Sequence, residues 1–137
     1  MLKKKLFLFV LLLISCAKSE EIEKPLGRIL FIQDNRMPAD SLYSFLHGHN
    51  DIVSAQALIA LGQIQDTTAI DTLAIYMHHT NLDIKRHTIF ALGQTGFASN
   101  SFSIKNKVEK LLLDQYQKEN DVRSKVKIIE ALGKNAG

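Results

Sequence analysis

Three short blocks decide how this chain is built: Ala60-Leu61-Gly62-Gln63, Ala91-Leu92-Gly93-Gln94 and Ala131-Leu132-Gly133-Lys134. The second follows the first by 31 residues and the third follows the second by 40, so the last unit carries an insertion. Such a period is the signature of repeated helix pairs, each of which buries its apolar side only against its neighbours. Asp51, Asp83 and Asp121 stand where the helix leading into each block should begin, because aspartate accepts hydrogen bonds from the free N–H groups of a first turn. Glycine tolerates positive φ, and Gly62, Gly93 and Gly133 are expected to close the same helices. Partner helices are expected over residues 39–47, 69–78 and 103–117. Their apolar residues recur at helical spacing, as in Ile70, Leu73, Ala74 and Met77, or Ile104, Val108, Leu111 and Leu112. No stretch alternates as a half-buried strand does, so the fold class is all-α.

Antiparallel helix pairs of this period, with Asp83-Ile84-Lys85-Arg86 leading into Ala91-Leu92-Gly93, resemble HEAT repeats of the short bacterial type also found in phycobilisome lyases. The resemblance covers residues 39–133 and is best over residues 83–93. It implies an α-solenoid of about three HEAT-like helix pairs that binds another protein on the surface formed by the second helices. The candidates on that surface are Ser54, Gln56, Lys85, Arg86, Arg123 and Lys127. In that family the residue after the branched apolar one is usually an arginine that pairs with an aspartate of a neighbouring unit. Here the matching positions hold Ser54, Lys85 and either Arg123 or Lys125, so only Lys85 is a plain candidate for such a ladder.

Residues 28–36 are apolar enough to form a short N-terminal capping helix over the first pair. The last pair has no polar cap after it. With Leu111, Leu112, Leu113, Ile128, Ile129 and Leu132 it offers more apolar surface than one neighbour can cover, and self-association through that end is expected. The chain looks like the opening of a longer protein. It is similar to the beginning of longer Bacteroidetes HEAT lipoproteins, some of which carry a cyclophilin-type prolyl isomerase domain. One alternative reading is therefore the non-catalytic N-terminal segment of such an isomerase. A chromophore lyase-like HEAT protein is another.

The first 25 residues place the domain. Lys3, Lys4 and Lys5 precede an apolar run from Leu6 to Ile14, too short for a spanning helix of ~20 residues and right for a signal-peptide core. Residues 1–15 are thus expected to be an export signal. Leu13-Ile14-Ser15-Cys16 resembles the lipobox of bacterial lipoproteins, which implies acylation of Cys16, a lipid anchor and a location in the cell envelope. Residues 16–25, charged and closed by Pro25, read as a solvated tether, and residues 26–137 as the repeat domain.

Composition narrows the chemistry. The 137 residues hold 17 Lys and Arg against 14 Asp and Glu; the three leader lysines account for the whole excess. A nucleic-acid partner would require a basic stripe in the mature domain and is not expected. The single cysteine rules out an internal disulfide framework and a zinc site of clustered cysteines. His47, His49, His78 and His79 fall near helix ends, where histidine complements the dipole, and no carboxylate or thiol at fixed spacing completes a ligand set. Gly93-Gln94-Thr95-Gly96 follows a helix rather than a strand and is no phosphate loop. No Gly-x-Ser-x-Gly elbow is present. No metal, cofactor or catalytic residue is expected, and the chain reads as a binding protein rather than an enzyme. Replacing Cys16→Ser is expected to abolish acylation and to free the exported product from the membrane fraction; unchanged acyl labelling of the variant would exclude the lipobox.

Overall fold

The computed structural model describes residues 21–48 and 50–135, and among them every regular element is a helix. Cys16 and the expected leader, with His49, Ala136 and Gly137, lie outside the described residues. Helix α1 covers residues 21–34. A 3₁₀ turn, Ala39–Leu42, leads into the short α2, Tyr43–Leu46, and then α3, Asp51–Ile64. A second 3₁₀ turn, Thr67–Ala69, leads into α4, Ile70–Tyr76, and α5, Leu82–Ala98. The last two are α6, Phe102–Lys118, and α7, Val122–Asn135.

Helix α3 lies along α5, and α5 along α7; each of the three is backed by the helix before it, α2 on α3, α4 on α5 and α6 on α7. The core fills the space between the two rows, with Leu42, Leu58, Leu61, Leu73, Ile84, Ile89, Leu92 and Leu112 all buried. Ile29 and Ile32 bring α1 into the same core. This N-terminal helix is longer than residues 28–36. Residues 21–25, the described part of the expected tether, are helical too, and Ile22 packs against the core.

The helix starts repeat with the spacing of the blocks. The Asn50 side chain accepts the N–H groups of Ile52 (3.0 Å) and Val53 (3.4 Å), and Asn81 does the same for Asp83 (2.9 Å) and Ile84 (3.4 Å). Asp121 accepts from Ser124 N at 2.7 Å. Asn50 and Asn81, not Asp51 and Asp83, are therefore the caps, because a carboxamide oxygen caps as well as a carboxylate does. Asp51 lies one residue and Asp83 two residues further in, where negative charge still complements the helix dipole. In this register Lys125, not Arg123, occupies the place of Lys85: the N–H groups of Ser54, Lys85 and Lys125 close the first turns onto Asn50, Asn81 and Asp121 at 3.0 to 3.1 Å.

The expectation that glycine ends these helices is overturned. Among the described residues no glycine has positive φ, and α3, α5 and α7 run past Gly62, Gly93 and Gly133. Gln65, three residues beyond Gly62, takes the left-handed conformation instead (φ 62°) and closes α3 through its N–H to Leu61 O (3.0 Å). The glycines serve close approach. A Cβ on Gly62 would lie 2.9 Å from Ala91 Cα, and one on Gly93 would lie 2.7 Å from Ala131 Cβ. Gly96 meets the Asn135 side chain and, at 2.9 Å, Val108 Cγ1. In the first two blocks Ala-Leu-Gly is thus a mid-helix contact motif: Gly62 and Gly93 each receive the alanine of the next long helix. Gly133 has nothing within 4 Å. Leu61 and Leu92 are fully buried, whereas Leu132 is only partly so.

This difference between equivalent glycines is measurable. Gly93→Ala is expected to destabilise by about 1–3 kcal/mol through overpacking, whereas Gly133→Ala, free of neighbours, should gain roughly 0.5–1 kcal/mol of helix stability. Denaturant midpoints moving in the same direction for both would contradict the contact.

Candidate binding groove

The exposed side of α3, α5 and α7 carries a row of adjoining clefts that together form a shallow groove. Asp51, Ile52, Gln56, Ile59, Asp83 and His87 line a cleft of about 320 Å³ between α3 and α5. Asp83 and His87 are shared with a second cleft of about 260 Å³, which adds Arg86, Phe90 and Lys127. Phe90 and Lys127 continue into a shallow hollow with Glu130 and Lys134. The groove therefore crosses all three long helices. Its lining follows the repeat: Gln56, His87 and Lys127 each stand four residues before the alanine of a block, and Ile59, Phe90 and Glu130 immediately before it.

Asp51 and Asp83 line one end of the groove, and Lys127, Glu130 and Lys134 the other, where the lysines outnumber the acid. Lys134 Nζ sits 5.6 Å from the centre of the Phe90 ring and 3.2 Å from Gln94 Oε1, while Lys127 is paired with Glu130 at 2.7 Å. Burial lowers the His87 pKa, as does the Arg86 charge, against the opposing pull of Asp83. The middle of the groove is thus a neutral imidazole beside an aromatic ring, between two charged ends.

A polar junction along the starts of the same helices takes up charges that would otherwise face a partner. Glu119 Oε2 accepts from Lys85 Nζ and Gln115 Nε2, both at 3.0 Å, and Oε1 accepts from the N–H groups of Asn120 and Asp121, also at 3.0 Å. Arg86 bridges Asp83 (2.8 Å) on its own helix and Asp121 (3.2 Å) on the next. One junction earlier Asn81 Nδ2 donates to Asp51 Oδ2 at 2.7 Å. Cross-unit pairing is therefore present, and Arg86 carries it together with Lys85.

The six surface candidates separate accordingly. Ser54 is buried, its hydroxyl donating to Phe45 O (3.1 Å) and Leu46 O (3.4 Å) at the end of α2, so it is no surface residue. Its place in the first turn faces α2, which sequence position does not reveal. Lys85, its side chain 14% exposed, is held internally by Glu119, and Arg86 only edges the groove while pairing on both sides. Gln56 and Lys127 line the groove. Arg123 is exposed on the first turn of α7 and lines none of these clefts. Ile59, His87, Phe90 and Lys134 were not among the candidates; their fixed distance from the Ala-Leu-Gly blocks is the signal that identifies them.

The histidines near the helix ends do other work. His47 Nδ1 and the Tyr76 hydroxyl share a hydrogen bond at 3.0 Å, and His79 stacks on the same ring and accepts the N–H of Asn81 at 3.1 Å. Among the described residues no three His, Cys, Asp or Glu side chains gather as ligands, and no helix is long and apolar enough to cross a membrane. Comparison with protein families finds no matching family model, and no curated protein matches the chain.

The junction makes stability sensitive to acid. Hydrogen bonds from the Ser124 hydroxyl and N–H, with Arg86, lower the Asp121 pKa to about 2. Burial alone would raise Glu119, but the Asp121 N–H, Lys85 and Gln115 together bring it below its ordinary value. Depressed pKa values contribute stability that is complete above the unfolded values of ~3.9 for Asp and ~4.3 for Glu and is lost as pH falls through the folded ones. Melting temperature should therefore fall between about pH 4 and pH 2. Asp121→Asn, which keeps a side chain able to cap α7, should melt lower at neutral pH and show a smaller acid loss. An acid loss equal to that of the unaltered protein would remove Asp121 from this account.

Proposed function

We propose that this chain is an exported, lipid-anchored scaffold, built as a HEAT-like α-solenoid, that binds another protein through the groove across α3, α5 and α7. The solenoid reading is supported by the repeated caps Asn50, Asn81 and Asp121 and by the repeated contacts Gly62–Ala91 and Gly93–Ala131. Anchoring follows from the leader and the Leu13-Ile14-Ser15-Cys16 box. The observation that carries the binding function is this row of adjoining clefts across the three long helices. The partly buried Ile59 and Phe90 offer it apolar contact, and its charge runs from acidic at Asp51 and Asp83 to net basic at Lys127, Glu130 and Lys134. A segment that fits carries basic side chains at one end, apolar ones in its middle and acidic ones at the other.

Photo-crosslinking in the native envelope tests the groove. A crosslinker at Gln56 or Lys127 is expected to trap one common partner, and the same group at Lys110, on exposed α6, to trap none. Phe90→Ala combined with Lys127→Glu should weaken the complex by about tenfold or more, since an aromatic anchor and a charge match are lost together. Adducts from Lys110 with none from the groove would place the partner on the other row of helices and end this proposal.

A further inference from the structure

His47 and His79 are tied up within the turns, by the Tyr76 hydroxyl and the Asn81 N–H. His87 stands apart from them. It lines the clefts on both sides of α5, and among the described residues no hydrogen bond holds either of its ring nitrogens. Asp51 on α3 shares the first cleft with it, and Lys127 on α7 the second; Glu130 and Lys134 lie beyond Phe90. Asp83 and Arg86 flank it on α5 itself, and Asp121 is held by Arg86. Among the described residues none of α4 or α6 lines either cleft. Burial, aided by Arg86, opposes the imidazolium more strongly than Asp83 favours it, so the ring is neutral at neutral pH and charges only under acid.

The repeat gives that proton a consequence. Gln56, His87 and Lys127 occupy one repeat position, so this line along the groove reads uncharged, titratable and permanently cationic. Protonation of His87 extends the positive half of the groove into the cleft that holds Asp51 and Asp83. Given the proposed groove, on which this rests, we infer that His87 makes it release its partner on acidification. Three effects act in the same direction. Basic side chains of the partner at Asp51 and Asp83 meet a new cation beside them. The partner's apolar middle, lying over His87 and Phe90, buries an imidazolium whose nearest acid on α5, Asp83, it must share. The charged ring also loses the one acceptor that the neutral ring offers. Binding therefore favours the neutral form and, by linkage, weakens as pH falls through the range in which the free ring charges.

The photo-crosslinker at Gln56, used in native envelopes, provides the readout. Adduct yield is expected to fall by about tenfold between about pH 7.5 and about pH 5. In His87→Gln, which repeats the residue type of Gln56, the ratio of the two yields should approach one, whatever the yield at neutral pH. His87→Lys, charged throughout, should give the low yield at both. Melts at both pH values verify that each variant is folded. The ring C–H signals of His87, identified by their absence from His87→Gln, provide a second measurement by NMR that needs no variant to bind. In the purified adduct the ring should charge at lower pH than in the free chain. Equal yields at the two pH values, a loss that persists in His87→Gln, or a ring that titrates alike in adduct and free chain would overturn the inference. No adduct from Gln56 at either pH would instead end the proposed groove, and the release with it.

Discussion

The architecture depends on two places where long helices touch without side chains between them. At Gly62 the backbone of α3 meets Ala91, and at Gly93 the backbone of α5 meets Ala131. A mid-helix glycine costs roughly 0.5–1 kcal/mol relative to alanine, so its presence is sensible only where a Cβ has no room. Close approach then sets what can lie nearby. Thr88 and Thr95 turn their hydroxyls onto their own helix, so the narrow junction with α3 leaves no hydroxyl unpaired. Asn135 donates to both Ala131 O and Gly93 O and so reaches across the second junction.

The starts of the long helices are tied together by polar groups rather than by packing. Glu119, almost wholly buried, receives four hydrogen bonds, and Arg86 spans from Asp83 to Asp121. A buried ion pair offsets its own desolvation only when its remaining lone pairs are satisfied, and Glu119 meets that condition. The net energy is modest, yet the geometry is restrictive, since sliding α7 along α5 would strand a carboxylate. Contact at the glycines sets the separation of these helices, and the polar junction sets their stagger.

Those two constraints together shape the proposed binding surface. Because the helices sit close and in register, Gln56, His87 and Lys127, then Ile59, Phe90 and Glu130, come into two parallel lines along the groove. Lys85 and most of Arg86 are consumed by the junction, so recognition falls to the residues in these lines.

Much of the helical plan was legible in the sequence, because apolar spacing and a recurring block report directly on which residues share a helix face. The all-helical class, the two partner helices at residues 69–78 and 103–117 and the cap at Asp121 follow from such local rules. The role of the glycines did not, because a glycine that ends a helix and one that lets another helix approach look alike until the second helix is in place. Asn50 and Asn81 stand close to aspartates that suit the cap position equally well, and only the first-turn hydrogen bonds decide between them. Ser54 and Arg86 show the same limit: the sequence marks them as polar, but the end of α2 and the start of α7 determine that one is buried and the other paired across two helices. Local chemistry settled what the elements are. Tertiary contact settled which of their residues remain free to bind, because burial and pairing depend on residues distant in the chain.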